Sequence, residues 1–281
     1  MESEIHLIKD LESLLRYLET SPVENNKLIG RVSRKLKAGP DDLNDDFYAC
    51  RSQSGDVLAC CHLKGERKLL FSTVGRNDLL PMSEYLTRHF PDLTEVEGPL
   101  DVITELVKTF GSDKRVKITG LNRKTLMLLN QAPAYEQAVS GHMDKITNQS
   151  GNFDDLLNII RLFSRTTLGR DPDITRFVAE MERSEKVFYG WLHRGKLTAI
   201  AGFTRKVSSG RCISFVYTPE PYRRRGYAQS LISRMCRDLF VLGKVSFLYV
   251  EQANDRALSL YKKIGFTSVQ DLADIKFDLN I

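Results

Sequence analysis

The most constraining feature of this chain is a run of three arginines, residues 223–225, between an apolar segment and an apolar-periodic helix. Residues 211–217 are rich in β-branched and aromatic side chains, and they predict a buried strand that ends before Pro219. After the arginines, apolar residues recur at helical spacing, at Ala228, Leu231, Ile232, Met235 and Leu239. This order predicts a strand, a tight loop and a helix.

The loop between these two elements is suited to an anion. A helix N-terminus carries roughly half a positive charge, so neighbouring arginines are unfavourable unless an anion is also present. Gly226 and Ala228 are small, which lets a ligand approach the first backbone N–H groups of the helix. The stretch therefore predicts a phosphate or pyrophosphate site, with a solvated arginine cluster as the alternative. The single glycine and the lack of Gly-Lys-Ser/Thr fit neither a dinucleotide fingerprint nor a P-loop.

Two motifs in the second half of the chain resemble those of a known superfamily. Arg223-x-x-Gly226-x-Ala228 resembles Gln/Arg-x-x-Gly-x-Gly/Ala, the pyrophosphate signature of the GNAT acyl-CoA-dependent N-acyltransferases. Residues 248–266 resemble the strand, Asn-bearing turn and helix ending in Leu-Tyr-x-x-x-Gly-Phe of the same superfamily. The resemblance covers residues 140–281, and it points to the two-unit subgroup that includes glycine-N-acyltransferase-like proteins and bacterial predicted acetyltransferases.

The resemblance implies a role for each matched residue. In relatives, the strand before the loop splays from its neighbour and binds the pantetheine arm through its backbone, while the loop and its arginines hold the pyrophosphate. The residues implied to bind acyl-CoA here are Val216, Tyr217, Thr218, Arg223, Arg224, Arg225, Gly226, Tyr227, Ala228, Gln229 and Asn254. Tyr261 matches the tyrosine that protonates the departing CoA thiolate. The amine would attack the thioester directly, with no covalent enzyme intermediate.

The catalytic assignments have alternatives. Tyr261 lies among apolar helix positions and could be a core aromatic only. Asn254 could cap the helix that begins after it, a role that is compatible with a cofactor contact. Glu251 ends a predicted strand and could accept the amine proton, directly or through water, or it could simply be solvated. Because the strand before the loop carries no glutamate, the general base has no clear candidate.

These residues predict an N-acyltransferase that transfers an acetyl or other short acyl group from acyl-CoA to a primary amine. The acceptor could be an amino acid, a small metabolite or a protein amine. Of these, a small molecule is preferred. The alternative is a non-catalytic GNAT-fold protein that senses acyl-CoA or binds a partner. A net charge of +5 does not call for nucleic acid as a partner, although residues 31–37 form a basic run.

Composition sets the remaining limits on function. No run of about 18 apolar residues is present, and the acidic N-terminus does not resemble a signal peptide, so we expect a cytoplasmic protein without a membrane span. The five cysteines have no metal-ligand spacing, and their odd number argues against a disulfide framework. We therefore predict no metal. The oligomeric state cannot be read from these patterns.

The first half of the chain repeats the order of predicted elements of the second half, at an offset of about 140 residues. A hairpin, a strand, a helix at about residues 79–90 and an apolar-periodic helix at residues 99–111 follow the order of the second half. Asp78 stands at the start of the first of these helices, where the arginines would be. A carboxylate there would repel a phosphate. We therefore predict a mixed α/β protein of two GNAT-like units, each with a central mixed sheet flanked by helices. Residues 1–139 would be a degenerate unit that does not bind CoA, and residues 140–281 the catalytic unit.

Overall fold

The computed structural model describes residues 5–38, 45–51, 57–63, 67–72, 85, 88–90, 92–113, 115–134, 139–183 and 185–280. The chain divides into two compact units. The first comprises Met1–Leu126, Glu251–Ala253 and Val269–Ile281, and the second comprises Met127–Val250 and Asn254–Ser268. Asp78 and most of the helix predicted near residues 79–90 lie outside the described residues, so the predicted loss of the anion loop in the first half stays a prediction.

The first unit contains both strands and helices. In chain order they are β1 (Ile5–Leu7), α1 (Leu11–Leu18), α2 (Asn26–Ala38), β2 (Asp45–Arg51), β3 (Val57–Leu63), β4 (Lys68–Phe71), β5 (Glu95–Pro99), α3 (Leu100–Asp113) and β6 (Arg115–Leu129). The last three residues of β6 belong to the second unit. The helix predicted at residues 99–111 is α3, whose Ile103 and Leu106 are fully buried.

The second unit contains the predicted strand–loop–helix. Its elements are β7 (His142–Ile146), α4 (Phe153–Phe163), a π-helical turn (Ser164–Leu168), α5 (Ile174–Glu182), β8 (Val187–His193), β9 (Lys196–Lys206), β10 (Gly210–Tyr217), a 3₁₀ turn (Glu220–Tyr222), α6 (Tyr227–Val241), β11 (Val245–Glu251) and α7 (Asp255–Ile264). The final strand, β12 (Thr267–Asn280), starts in this unit and continues in the first.

Both units are built on mixed sheets, which confirms the predicted fold class. The first unit has the strand order β1-β2-β3-β4-β5-β12-β6, in which β4 and β5 are parallel. The second has the order β11-β10-β9-β8-β7, in which β10 and β11 are parallel. In each unit the second strand of the parallel pair leads into a helix, α3 or α7. This shared order agrees with the internal repeat seen in the sequence.

The division between the units differs from the boundary placed at residues 139 and 140. The structural units change at Leu126 and Met127, and Val269–Ile281 belongs to the first unit. The reason is strand pairing, because residues Leu272–Lys276 of β12 run antiparallel to β5. A linear boundary cannot represent a C-terminal strand that pairs in the N-terminal unit.

Charged side chains of the first unit's sheet and of helix α2 form a set that we call the ionic cluster, composed of Lys27, Lys68, Glu95, Glu97, Lys124 and Asp274. Lys68 is 12% exposed, and its Nζ lies 2.6 Å from Glu95, 2.5 Å from Glu97 and 3.7 Å from Asp274. Asp274 also lies 2.5 Å from Lys124, and Glu97 pairs with Lys27. Register explains the grouping, since Lys68 is opposite Glu95 and Asp274 is opposite Glu97.

Helices cover both faces of the second unit's sheet. On one face α6 and α7 bury Leu231, Ile232 and Ile264 against Leu248, and on the other α4 and α5 bury Ile160 and Phe177 against Phe188 and Ile200. Leu231 and Ile232 are among the apolar positions from which α6 was predicted. Within the described residues no helix is long and apolar enough to span a membrane. In the same residues no group of His, Cys, Asp or Glu side chains could hold a metal ion.

Candidate active site

The site begins where two parallel strands separate. Gly210–Ile213 of β10 pairs with Val245–Leu248 of β11, and the ladder ends there although both strands continue. Residues 214–217 and 249–251 therefore have no partners across this gap, which we call the fork. Separated parallel strands leave backbone N–H and C=O groups free on the facing edges. An extended ligand can use these groups.

A β-bulge in β10 lies at the fork. Its register with β9 shifts between Ser214 and Tyr217, and Phe215 has a φ of +55°. A bulky residue with this backbone is an outlier that costs about 1–2 kcal/mol. The bulge changes which side chains face which helices. Ile213 and Val216 pack with α6 and α7, whereas Phe215 and Tyr217 pack with α4 and α5.

The loop after β10 is held by one of the three arginines. Arg223 Nε donates to the carbonyl of Thr218 at 3.0 Å, and Nη2 donates to the hydroxyl of Tyr217 at 3.4 Å. The guanidinium also lies over the Tyr217 ring, 5.6 Å from its centroid. Arg223 therefore ties the loop back to the end of β10.

The other two arginines project from the loop. Arg224 and Arg225 are exposed, and in the described part of the chain neither has a hydrogen-bond or ion-pair partner. Arg224 has a φ of +62°, a backbone conformation that the loop imposes on a residue other than glycine. Two unpaired cations beside a helix start leave the loop with unbalanced positive charge.

Helix α6 begins without a side-chain cap. Gly226 is the N-cap with a φ of +82°, and no acidic residue lies in the first turn. Because glycine has no Cβ, it adopts this left-handed conformation without strain. The first N–H groups of the helix, those of Tyr227, Ala228 and Gln229, have no capping side chain and add to the positive helix end. No side chain therefore caps the N–H groups at the center of the predicted anion loop.

Two side chains of this first turn are buried. Tyr227 is 6% exposed, and its ring lies 5.5 Å from the His193 ring. Gln229 is 8% exposed, and its Nε2 has no hydrogen-bond acceptor. A buried amide donor without a partner is uncommon and costs free energy. Tyr227 therefore anchors the turn in the core, while Gln229 retains an unused donor.

Asn254 caps helix α7, as the sequence indicated. Its Oδ1 accepts the backbone N–H of Ala257 at 3.1 Å. The residue is exposed, so its side-chain amide NH₂ faces solvent rather than the core. The cap is confirmed, and the cofactor contact stays a prediction.

Tyr261 lies deep in the second unit. It is 7% exposed and packs with the core between α6, α7 and the sheet, where its ring lies 5.8 Å from that of Phe266. Burial, with the nearby thiols of Cys212 and Cys236, raises the pKa of the Tyr261 phenol above its ordinary value. The hydroxyl therefore stays protonated at neutral pH.

Glu251 is the final residue of β11 and is exposed. It belongs to the first unit, whereas the loop, Asn254 and Tyr261 belong to the second. The backbone just after it is fixed, because the Gln252 N–H donates to the carbonyl of Arg123 at 3.0 Å. Its role as a base stays a prediction.

A polar group at the fork was not predicted from the sequence. Arg205 of β9 donates from Nη2 to the Cys212 sulfur at 3.3 Å, and the Thr204 and Ser214 hydroxyls lie 2.8 Å apart. The only sequence signal was an arginine near the end of an otherwise apolar strand. Such an arginine is usually fully solvated, and only the register with β10 shows that this one lies opposite Cys212.

Comparison with known proteins supports this assignment of fold. Residues 188–273 match the family model of FR47-like proteins. No curated protein matches the chain in sequence. Among solved structures, a Drosophila protein aligns over 99% of this chain and 99% of its own, at 15% identity and a TM-score of 0.65.

Two further structures align along nearly the whole chain. A GCN5-related N-acetyltransferase from Sphaerobacter thermophilus covers 98% of this chain and 95% of its own, at 11% identity and a TM-score of 0.64. A tandem GNAT protein from the clavulanic acid biosynthesis pathway covers 99% and 98%, at 11% identity and a TM-score of 0.61. Since the identities are low, this similarity concerns the fold. The chain has the GNAT acetyltransferase fold, and its residues 188–273 match an FR47-like domain.

Proposed function

We propose that this protein is an acyl-CoA-dependent N-acyltransferase that transfers an acetyl or other short acyl group to a primary amine. The observation that carries the proposal is the fork between β10 and β11, directly followed by an uncapped helix start with two unpaired arginines. A site of this form offers unpaired backbone groups to an extended arm and positive charge to an anion. Acyl-CoA has both parts.

The anionic end of acyl-CoA would bind at the start of α6. The open N–H groups of Tyr227, Ala228 and Gln229 supply donors, and the helix end supplies positive potential. Arg224 and Arg225 supply charge and can form charge-assisted hydrogen bonds with phosphate oxygens. Arg223 acts differently, because its guanidinium already holds Thr218 and Tyr217 in place.

The pantetheine arm would extend along the free edge of β10. Val216, Tyr217 and Thr218 lie beyond the last pair of the ladder with β11, so their backbone groups have no partner on that strand. Asn254 would contribute its side-chain NH₂ group, since its Oδ1 is used by the helix cap. These contacts would bring the thioester to the fork.

At the fork the amine nitrogen would attack the thioester carbonyl. A C–N bond forms, the C–S bond breaks, and the ammonium formed must lose one proton. Free backbone N–H groups of β10 can stabilise the developing oxyanion. Glu251 is our candidate to accept the amine proton through water, because it ends the strand on the other side of the fork and is exposed.

Tyr261 would assist the leaving thiolate. A thiol has an ordinary pKa of about 8.5, and that of a tyrosine is about 10 before burial raises it further. Complete proton transfer from Tyr261 to the thiolate is therefore uphill. The hydroxyl would stabilise the thiolate by donating a hydrogen bond, and the thiolate would take its proton from solvent after release.

A second candidate is an acyl-CoA-binding protein without turnover. The observation that favours it is the burial of Tyr261 among core residues with two cysteines nearby. The variant Tyr261→Phe separates the two. In an enzyme it should lower kcat about tenfold to a hundredfold with CoA affinity unchanged, because a hydrogen bond to a charged group contributes about 1.5–3 kcal/mol. In a binding protein it should change nothing.

The first experiment is acetyl-CoA turnover, followed as release of free thiol, with pools of amines and peptides. The double variant Arg224→Ala/Arg225→Ala should weaken CoA binding by at least about 100-fold. Arg234→Ala/Arg237→Ala is the matched control, since it removes two exposed arginines further along the same helix. An equal loss of CoA affinity in both double variants would indicate a general effect of charge. Absence of CoA binding by the unmodified protein would overturn the proposal.

The remaining assignments belong to the same proposal. The first unit would not bind CoA, and the active protein would reside in the cytoplasm without a metal or a nucleic-acid partner. Calorimetry with acetyl-CoA tests the first point, since one bound CoA per chain is expected. Two bound molecules would contradict it.

A further inference from the structure

Three consecutive apolar side chains are exposed where helix α6 ends. Phe240, Val241 and Leu242 are 43%, 78% and 71% exposed. Val241 and Leu242 are the two most exposed large apolar side chains in the part of the chain that the structure describes. Single exposed apolar residues are ordinary on a protein surface, whereas adjacent ones are typical of a surface that contacts a partner.

This apolar segment is fixed to the turn between β9 and β10. Gly243, with a φ of +67°, turns the chain from α6 towards β11. The Val245 N–H donates to the carbonyl of Ser209 at 2.9 Å, and Lys244 Nζ donates to the carbonyl of Ser208 at 2.9 Å. The segment therefore lies where β10 and β11 begin, and the fork lies at the other ends of these two strands.

Cations surround the apolar segment. Lys206 and Arg211 are directly opposite each other on β9 and β10, so their side chains are on the same face of the sheet. Burial raises the pKa of the Tyr189 phenol, and the charges of Arg211 and of Asp238 on α6 also influence it. Lys206 and Arg211 therefore lie on the face that α6 covers, near the end of that helix and near Lys244. We call the set composed of Lys206, Arg211, Phe240, Val241, Leu242 and Lys244 the basic tip.

The charge of the basic tip is not balanced locally. Residues 206–211 and 237–246 contain a single acidic residue, Asp238, and its carboxylate pairs with Arg234 at 3.0 Å. Like charges directly opposite each other on neighbouring strands are destabilising, so the pairing of Lys206 with Arg211 works against folding. An anionic partner would offset this repulsion.

We propose that the basic tip docks on the surface of an anionic lipid bilayer. The three apolar side chains would enter the headgroup region, and the cations would lie against lipid phosphates and carboxylates. Proteins that bind such surfaces peripherally combine apolar insertion with attraction between cations and anionic lipids. Binding in this orientation leaves the fork, at the other ends of the strands, accessible to acyl-CoA.

The same residues disfavour two other partners. A symmetric contact between two copies of the tip would place like charges against each other, which is unfavourable at an interface. A bound peptide helix needs an apolar groove, whereas Val241 and Leu242 project from a turn. A lipid surface needs no matching groove, so it fits both the charge and the exposure of the tip.

The test measures binding to vesicles of phosphatidylcholine alone and of equal parts of phosphatidylcholine and phosphatidylserine. We expect the unmodified protein to bind only the anionic vesicles. Binding should weaken at least about tenfold between about 0.1 M and about 1 M salt, because the Debye length falls from about 10 Å to about 3 Å. Lys206→Gln should weaken binding about fivefold, which corresponds to about 1 kcal/mol for one cation near the membrane surface.

A double variant tests the apolar contact. Val241→Ser/Leu242→Ser should weaken binding to anionic vesicles at least about tenfold. The matched control is Ile118→Ser/Leu121→Ser, which removes two apolar side chains of β6 that are 55% and 50% exposed, and it should bind as the unmodified protein does. Because all four side chains are exposed, both double variants should keep the melting temperature of the unmodified protein. Unchanged binding by Val241→Ser/Leu242→Ser would overturn the proposal.

The anion loop is a second basic surface of the same unit, and Arg224→Ala/Arg225→Ala separates it from the basic tip. This variant should bind anionic vesicles as the unmodified protein does. Loss of vesicle binding in this variant would place the contact at the anion loop and overturn the proposal.

Other outcomes would also overturn the lipid contact. Absence of vesicle binding by the unmodified protein, or equal binding to both vesicle compositions, would do so. Binding to polyglutamate but not to vesicles would indicate an acidic protein as the partner. A dimer in sedimentation velocity that Val241→Ser/Leu242→Ser dissociates, without vesicle binding, would indicate self-association. Each of these outcomes leaves the proposed acyl transfer untouched, because thiol release is measured without vesicles.

Discussion

Replacement of Lys68 by methionine should destabilise the first unit by about 3 kcal/mol. Lys68 is the center of the ionic cluster, with Nζ at 2.6 Å from Glu95 and 2.5 Å from Glu97 on the neighbouring strand. Removing one partner of a buried ion pair costs about 3–5 kcal/mol. We expect the lower end, because Glu97 keeps Lys27 and Asp274 keeps Lys124 after the change.

The free energy of unfolding in urea at pH 7 checks this value, and amide hydrogen exchange in β4, β5 and β12 shows whether the loss is in the first unit. The matched control is Lys108→Met on α3, where the lysine is 69% exposed and lies 3.3 Å from Glu105. An exposed pair of this kind contributes less than about 1 kcal/mol. If the loss in free energy of unfolding of Lys68→Met is within about 0.5 kcal/mol of the loss in its control, the ionic cluster does not stabilise the unit and the reasoning is refuted.

The effect of Lys68→Met should also depend on pH. Burial of Asp274 opposes its ionisation, but the hydrogen bond and charge of Lys124, with Lys68 and Lys27, hold the pKa of Asp274 below its ordinary value. A carboxyl group whose pKa is lower in the folded state stabilises the protein above its unfolded pKa of about 3.9, and this contribution is lost as pH falls through the folded value. The difference in free energy of unfolding between the variant and the unmodified protein should have its full value at pH 7 and should decrease below about pH 4. A constant difference down to pH 3 would contradict the role of charge.

Three further predictions concern the candidate active site. Arg223→Ala should lower CoA affinity about tenfold by freeing the loop, and it should also make the loop more sensitive to proteolysis, whereas Arg224→Ala should leave proteolysis unchanged. Gly226→Ala should lower the free energy of unfolding by about 1–2 kcal/mol, measured in urea, because the N-cap backbone is left-handed; a neutral result would mean that the loop can relax. Asn254→Ala should cost about 1 kcal/mol through loss of the cap, while Asn254→Asp should keep the cap and lose CoA affinity in calorimetry; unchanged affinity in Asn254→Asp would remove this residue from the cofactor site.

Local patterns in the sequence predicted much of the secondary structure of the second unit. Helix α6 was predicted from apolar residues at helical spacing, and four of those positions, Leu231, Ile232, Met235 and Leu239, are buried. The glycine at the start of α6 and the asparagine cap of α7 were also predicted, because both depend on the backbone of one or two turns. Periodicity and capping are local properties, so a single sequence is enough to read them.

Other features depend on residues distant in the chain. A change of face within β10 breaks the alternation that predicts strand sides, and it is visible only from the register with β9. The ring of Tyr261 packs in the core between α6, α7 and the sheet, which helix spacing alone leaves open. The placement of Val269–Ile281 in the first unit follows from pairing with β5, more than 170 residues earlier in the chain.

The sequence by itself determined that this protein has a strand, a tight loop with three arginines and a helix in this order, because each of these signals lies within a dozen residues. Only the tertiary structure decided that β10 and β11 separate at Ile213 and Leu248, and that Lys68 lies beside Glu95 and Glu97. The physical reason is that strand pairing and burial are set by contacts across the sheet. A charged side chain has the same letter in the sequence whether water, a carboxylate or nothing surrounds it.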